Sequence, residues 1–116
     1  MKVIIAGGRD FHNYELLKEK CDVILGRQTE IEIVSGKAKG ADKLGEQYAE
    51  EKGYPVTLFP ADWDEHGKAA GFRRNLEMAN YADCLIAFWD GKSKGTKMMI
   101  ELAEQKGLNV RVVKYT

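Results

Sequence analysis

Cys84-Leu85-Ile86-Ala87-Phe88-Trp89, running into Asp90-Gly91-Lys92-Ser93-Lys94-Gly95-Thr96, decides the fold. The first six residues are apolar throughout, as a strand covered on both faces would be, and such strands belong to parallel sheets. Val3-Ile4-Ile5-Ala6 has the same character and stops at Gly7-Gly8. Ile31-Glu32-Ile33-Val34 is a third short run and stops at Ser35-Gly36. Pro55-Val56-Thr57-Leu58-Phe59 opens with a proline that suits an edge or a strand start. Val110-Arg111-Val112-Val113-Lys114 has charges interspersed and reads as the opposite edge.

Segments of helical length separate these runs, at about 13–27, 41–53, 70–82 and 95–107. Helix-length connections between strands imply parallel crossovers. The two most continuously apolar runs belong at the centre, which predicts a five-stranded parallel sheet in the order 3-2-1-4-5. The expected fold is therefore α/β, a single doubly wound Rossmann-like domain over 1–116, and 116 residues leave no room for a second one.

Composition narrows the partners. Apolar residues are 44% and charged residues 31%, ordinary for a globular chain. Eighteen Lys and Arg balance eighteen Asp and Glu, so no global field would hold nucleic acid or an anionic membrane. No apolar run reaches the roughly eighteen residues of a membrane span, and MKVIIAGGRD turns polar too early for a signal peptide, so a cytoplasmic location is expected. Cys21 and Cys84 stand far apart, and His12 and His66 lack metal-ligand spacing, so neither a disulfide framework nor a metal site is expected. No cofactor is expected.

In open α/β sheets the ligand crevice lies beyond the carboxyl ends of the strands, at the switch in strand order. Three small-residue turns leave the strands there: Gly7-Gly8-Arg9-Asp10-Phe11, Ser35-Gly36-Lys37-Ala38-Lys39-Gly40-Ala41-Asp42 and Asp90 to Thr96. Each feeds a helix N-terminus, whose unpaired N–H groups and partial positive charge suit phosphate, and glycine lets such backbone approach an oxyanion closely. Nine of the eighteen basic residues (Arg9, Lys37, Lys39, Lys68, Arg73, Arg74, Lys92, Lys94, Lys97) fall in segments 7–9, 35–40, 68–74 and 91–97, which contain no Asp or Glu. Neither standard fingerprint is present. Gly91-Lys92-Ser93 lacks the upstream glycine of a P-loop, where Ile86 stands, and the first turn lacks GxGxxG, so NTPase and ordinary NAD-binding readings are unsupported.

On a helical wheel of 70–82, Phe72, Leu76, Ala79 and Ala82 form the core stripe, Asn75 falls within it, Arg74 lies on its border, and Arg73 and Glu77 face outward. A buried amide needs partners, so Asn75 either caps a neighbouring loop or contacts ligand. Arg74 could reach a phosphate or serve a surface ion pair. Asp42 complements the dipole of its helix or accepts from a ribose hydroxyl. Asp90 caps its turn or orients a ligand. Trp63, Trp89 and Phe11 are candidates to stack a base. Ser35, Ser93 and Thr96 have no neighbouring His base, and their hydroxyls suit capping or phosphate.

These motifs, with Pro60-Ala61-Asp62-Trp63, Ala70-Gly71, Arg74-Asn75 and Ala82-Asp83, resemble the YspA/YpsA-related branch of the SLOG superfamily, whose Rossmann-like domains also occur in DprA, TRPM channel sensor regions and the LOG phosphoribohydrolases. The resemblance implies binding of a nucleotide or nucleotide-derived ligand such as a mononucleotide, an ADP-ribose derivative or a cyclic signal, by a sensor, carrier or sequestering protein. The ligand residues expected are Gly7, Gly8, Arg9, Ser35, Gly36, Lys37, Gly40, Asp42, Arg74, Asn75, Asp90, Gly91, Ser93, Gly95 and Thr96. Lys37 stands where the family usually has a second glycine. Arg74 matches the arginine of the LOG enzymes, but their glutamate falls on Met99, which also sits centrally on an apolar helix face. A phosphoribohydrolase would have to use Asp90 or Asp42, with Arg74, in its place. A further alternative is a scaffold that self-associates through helix 95–107, by Met98, Met99, Ile100 and Leu102.

Overall fold

A computed structural model describes residues 1–115, with the side chain of Lys68 outside the description. The order along the chain is β1 (Lys2–Gly7), α1 (Tyr14–Leu25), β2 (Glu32–Ser35), α2 (Ala41–Lys52), β3 (Val56–Leu58), α3 (Trp63–His66), a 3-10 turn (Gly67–Ala69), α4 (Ala70–Tyr81), β4 (Cys84–Trp89), α5 (Lys94–Gln105) and β5 (Asn109–Lys114). All five strands are parallel, in the order β3-β2-β1-β4-β5. The predicted Rossmann-like α/β fold and strand order are those observed. One element is new: α3 lies in the long connection after β3. Its signal is in the sequence, since Asp62 three residues before Glu65 is a capping pair, and the Asp62 carboxylate accepts the Glu65 N–H at 3.0 Å.

The unbroken apolar character of β1, β2 and β4 has a direct cause. Alternate side chains enter opposite cores. Val3, Ile5, Ile33, Ile86 and Phe88 face α1 and α2, where Leu17, Cys21, Tyr48 and Ala49 are buried. Ile4, Ala6, Val34, Leu85 and Ala87 face α4 and α5, where Met78, Ala79, Met99, Ile100 and Leu102 are buried. Each fully buried Ile or Leu contributes about 1.5–3 kcal/mol, so the central strands carry most of the stability. The edges differ as the sequence suggests: Val56 and Leu58 on β3 and Val112 on β5 are exposed.

That second core also takes up three of the four residues named for self-association through helix 95–107. Met99, Ile100 and Leu102 are buried inside the molecule, against the sheet. Met98 alone of the four is half-buried. No helix among the described residues is long and apolar enough to cross a membrane.

Candidate functional site

The turn after β4 shapes one wall. Oδ1 of Asp90 accepts the N–H groups of Lys92 and Ser93, both at 2.8 Å, and folds the chain back on itself. Those two bonds hold the Asp90 carboxyl below its ordinary range. Ser93 then caps α5: its Oγ accepts from Thr96 N at 3.5 Å and lies 3.2 Å from Thr96 Oγ1, while its carbonyl accepts from Trp89 Nε1 at 3.0 Å. What remains is the N–H pair of Lys94 and Gly95, which the first turn of a helix cannot satisfy internally. A Cβ built on Gly95 meets no atom within 4 Å, so this glycine opens onto free space.

The glycines of the other two turns behave differently. A Cβ at Gly7 would strike the Phe88 carbonyl, one at Gly8 the Tyr115 hydroxyl, and one at Gly40 the Gly8 carbonyl. These residues are small because the turns after β1 and β2 pack on each other and on β4. The Gly8 carbonyl oxygen accepts from both Phe11 and Ala41, each at 3.2 Å, and Gly8 N donates to Phe88 O at 3.1 Å. Phe11 is buried, stacked on Phe88 at 5.0 Å between ring centroids and beside Tyr115 at 4.7 Å, so it belongs to the core and cannot stack a base. Ser35 is buried as well. Its hydroxyl donates to Glu46 at 2.7 Å and accepts from Lys37 N at 3.0 Å, which closes the turn.

Between the turns and α4 lies a crevice of about 340 Å³. Its walls come from Ala6, Gly7 and Arg9 after β1, Ala38 and Asp42 at the start of α2, Ser93, Gly95 and Thr96 at the start of α5, and Arg74 and Asn75 on α4. Trp63, Phe72 and Met98 form an apolar rim, with Met78 and Met99 behind them. Of the residues expected to touch ligand, Gly8, Ser35, Gly36, Lys37, Gly40, Asp90 and Gly91 do not line this space. They build the turns that frame it. Lys37 adopts a positive φ of 60°, the conformation glycine favours, and points to solvent.

Phe72 is not core. It is 46% exposed: on α4 the side chains that join the second core are Leu76, Met78, Ala79 and Tyr81, and Phe72 lies ahead of them, beyond the strand ends. The same placement puts Arg74 and Asn75 in the crevice. Arg74 Nη1 donates to the Gly36 carbonyl at 2.5 Å and its Nε donates to Asn75 Oδ1 at 2.9 Å. That contact fixes the orientation of the Asn75 amide and leaves its NH2 group without a partner among the described residues, although Asn75 is only 6% exposed. Burial lowers the Arg74 pKa and the Asp42 carboxyl acts against that shift.

Asp42 is the anomaly. It is 5% exposed, and burial pushes its pKa from 3.8 up to about 6, against the lowering effects of the Ala38 N–H and Arg74 and reinforced by Glu46. Oδ2 accepts from Ala38 N at 3.3 Å. Among the described residues no three His, Cys, Asp or Glu side chains cluster to hold a metal ion.

Comparison with known proteins bears on this arrangement directly. The profile of the YspA, cpYpsA-related SLOG family matches residues 1–66, which contain the turns after β1 and β2. The chain belongs to that family. This SLOG-family chain is also similar to the Gene 61 protein of Mycobacterium phage D29, 40% identical over 84 residues that cover 67% of each chain. No solved structure matches it. Family membership points to a nucleotide-related ligand. The matched stretch of the SLOG-family chain supplies Arg9, Ala38, Asp42 and Trp63 to the crevice, while Arg74, Asn75 and Gly95 lie beyond it and enter on geometry alone.

Proposed function

We propose that the protein binds a phosphate-bearing nucleotide or nucleotide derivative in the crevice at the carboxyl ends of β1 and β4, as a sensor, carrier or sequestering protein. The observation that carries this reading is the NH2 of Asn75, on a side chain only 6% exposed, which has no protein partner among the described residues and reaches the surface of a crevice shared with Arg74, Arg9 and the open α5 N-terminus at Gly95. An oxyanion there satisfies donors that otherwise face empty space, and each charge-assisted bond is worth about 1.5–3 kcal/mol. The apolar rim of Trp63, Phe72 and Met98 suits a base. A volume of about 340 Å³ is at the lower end for small-molecule pockets and fits one nucleotide better than two.

The hydrolytic alternative finds less support. Met99 forms part of the crevice wall where a LOG enzyme would need a carboxylate, and Asp90 is engaged in its turn. Isothermal titration calorimetry with a panel of nucleoside mono- and diphosphates tests the binding reading. Saturable heat is expected, weakened at least tenfold in Arg9→Glu, a change at an exposed side chain that leaves the fold intact. Absence of heat across the whole panel overturns it.

A further inference from the structure

The crevice gathers donors for an anion, yet one of its walls is a carboxyl group. An anion-only site has no use for that group. Asp42 would repel phosphate, and its burial makes the carboxylate costly to keep. Helix-dipole complementarity explains an acidic residue in the first turn of α2, but it works equally well from an exposed position.

The geometry shows what the group is free to do. Oδ2 accepts a long bond from Ala38 N at 3.3 Å, the Gly36 N–H also lies against the carboxylate, and Oδ1 has no hydrogen bond of ordinary geometry among the described residues. No cation lies within ion-pairing distance of Asp42 among the described residues, since Arg74 is committed to Gly36 and Asn75. A carboxylate with one open oxygen, facing a cavity, is an acceptor for hydroxyl groups. The donors of Asn75 and α5 and the acceptor of Asp42 line the same 340 Å³ space. A ligand that satisfies both must carry an oxyanion and, a short distance away, one or more free hydroxyls. A ribose phosphate unit has that pattern, and a sugar without its 2′-hydroxyl has less of it.

We propose that Asp42 accepts hydrogen bonds from the ribose hydroxyls of the ligand and makes the crevice selective for ribonucleoside phosphates over their 2′-deoxy counterparts. This rests on the nucleotide-binding reading above and adds a specificity determinant to it. A site with a buried acceptor built for a hydroxyl rejects the analogue lacking it, because the acceptor is then left unpaired.

The test is calorimetric titration at pH 7.5 of the intact protein with the ribo- and 2′-deoxyribonucleoside 5′-monophosphates of adenine, guanine and cytosine, in matched pairs. For whichever base binds, the ribonucleotide is expected to bind at least tenfold more tightly. In Asp42→Asn this ratio should fall toward one, with the deoxynucleotide bound no less tightly than before, since a repelling charge has gone. Equal affinities for the two sugars in the wild-type protein overturn the role of Asp42 while nucleotide binding stands. A ratio unchanged in Asp42→Asn does the same. Silence from every nucleotide overturns the underlying reading, and the two failures are thereby distinct. Should Asp42→Asn not fold, the wild-type ratio alone decides.

Discussion

Arg74 and Asp42 face each other across Gly36: a Cβ at Gly36 would lie 2.8 Å from both Arg74 Nη1 and Asp42 Oδ2. The missing side chain of Gly36 thus leaves open the gap in which the cation of the crevice and its one acidic wall approach each other. Gly36→Ala is expected to force the two side chains apart and to cost stability through both the Arg74–Gly36 bond and the Asp42–Ala38 bond, by about 2 kcal/mol or more. Urea denaturation measures it, and a loss under 0.5 kcal/mol would refute the tightness of this packing.

Asp42 also sets a pH dependence whose sign follows from its raised pKa. In the fold it titrates at about 6 and in the unfolded chain near 3.8, so between these values the native state holds a proton that the unfolded state has released. Its contribution therefore opposes folding fully above pH 6 and fades as pH falls toward 4. Asp42→Asn should be more stable than wild type at pH 7 by on the order of 1–3 kcal/mol, and the gap should close near pH 4. Asp22, Glu32 and Asp90, whose pKa values are lowered, lose their stabilisation only at more acid pH and cancel in the comparison. Parallel stability curves for the two proteins from pH 4 to 7 would contradict the assignment.

Lys37 holds a left-handed backbone at φ 60° with an exposed side chain. Lys37→Gly removes that strain while keeping the Lys37 N–H bond to Ser35 Oγ. A gain of about 0.5–1 kcal/mol is expected, the relief of a left-handed L-residue less the added freedom of the unfolded chain. Thermal unfolding of the purified variant reads it directly.

Gly40 and Gly107 invite comparison, although Gly40 combines its positive φ with a ψ of −126°, outside the left-handed region. Both have positive φ, 78° and 79°, but a Cβ at Gly40 would strike Gly8 whereas one at Gly107 meets nothing within 4 Å. Gly107→Ala should cost about 1 kcal/mol for its conformation alone. Gly40→Ala should cost at least twice that, because its backbone conformation is closed to alanine and the two turns must separate. Equal losses would mean that neither the backbone conformation of Gly40 nor the approach of the Gly8 and Gly40 turns carries energetic weight.

Trp63 stands 53% exposed on the rim of the crevice, over Gly71. Nucleotide binding is expected to quench its fluorescence, and Trp63→Ala to weaken binding by about 5- to 100-fold, the range for loss of one base–aromatic stack. A quench that persists undiminished in Trp63→Ala would assign the signal to Trp89 and remove the base from this rim.

The fold was readable because its cause is local. Strands covered on both faces must be apolar at every position, so Val3–Ala6 and Cys84–Trp89 announce the sheet centre without any knowledge of what packs on them. Asn75 within the apolar stripe of α4 was readable in the same way. The placement of Phe72 was not, since a helical wheel assumes that a helix packs along its whole length and cannot say where it overhangs the sheet. Nor could periodicity show that Gly8 makes room for Tyr115, a contact spanning most of the chain. The glycines of all three turns look alike in sequence, and only tertiary packing separates Gly7, Gly8 and Gly40, which accommodate protein, from Gly95, which faces open space.

That division has an evolutionary consequence. The glycine signature that marks these domains is held in place by the joinery of two loops, so a lineage can keep it intact while its cargo changes or disappears. On the proposed nucleotide-binding reading, substitutions at Trp63, Asn75 and Gly95 would redirect recognition without loosening that joint, and a motif search centred on the glycines would group such descendants together regardless of what each has come to hold.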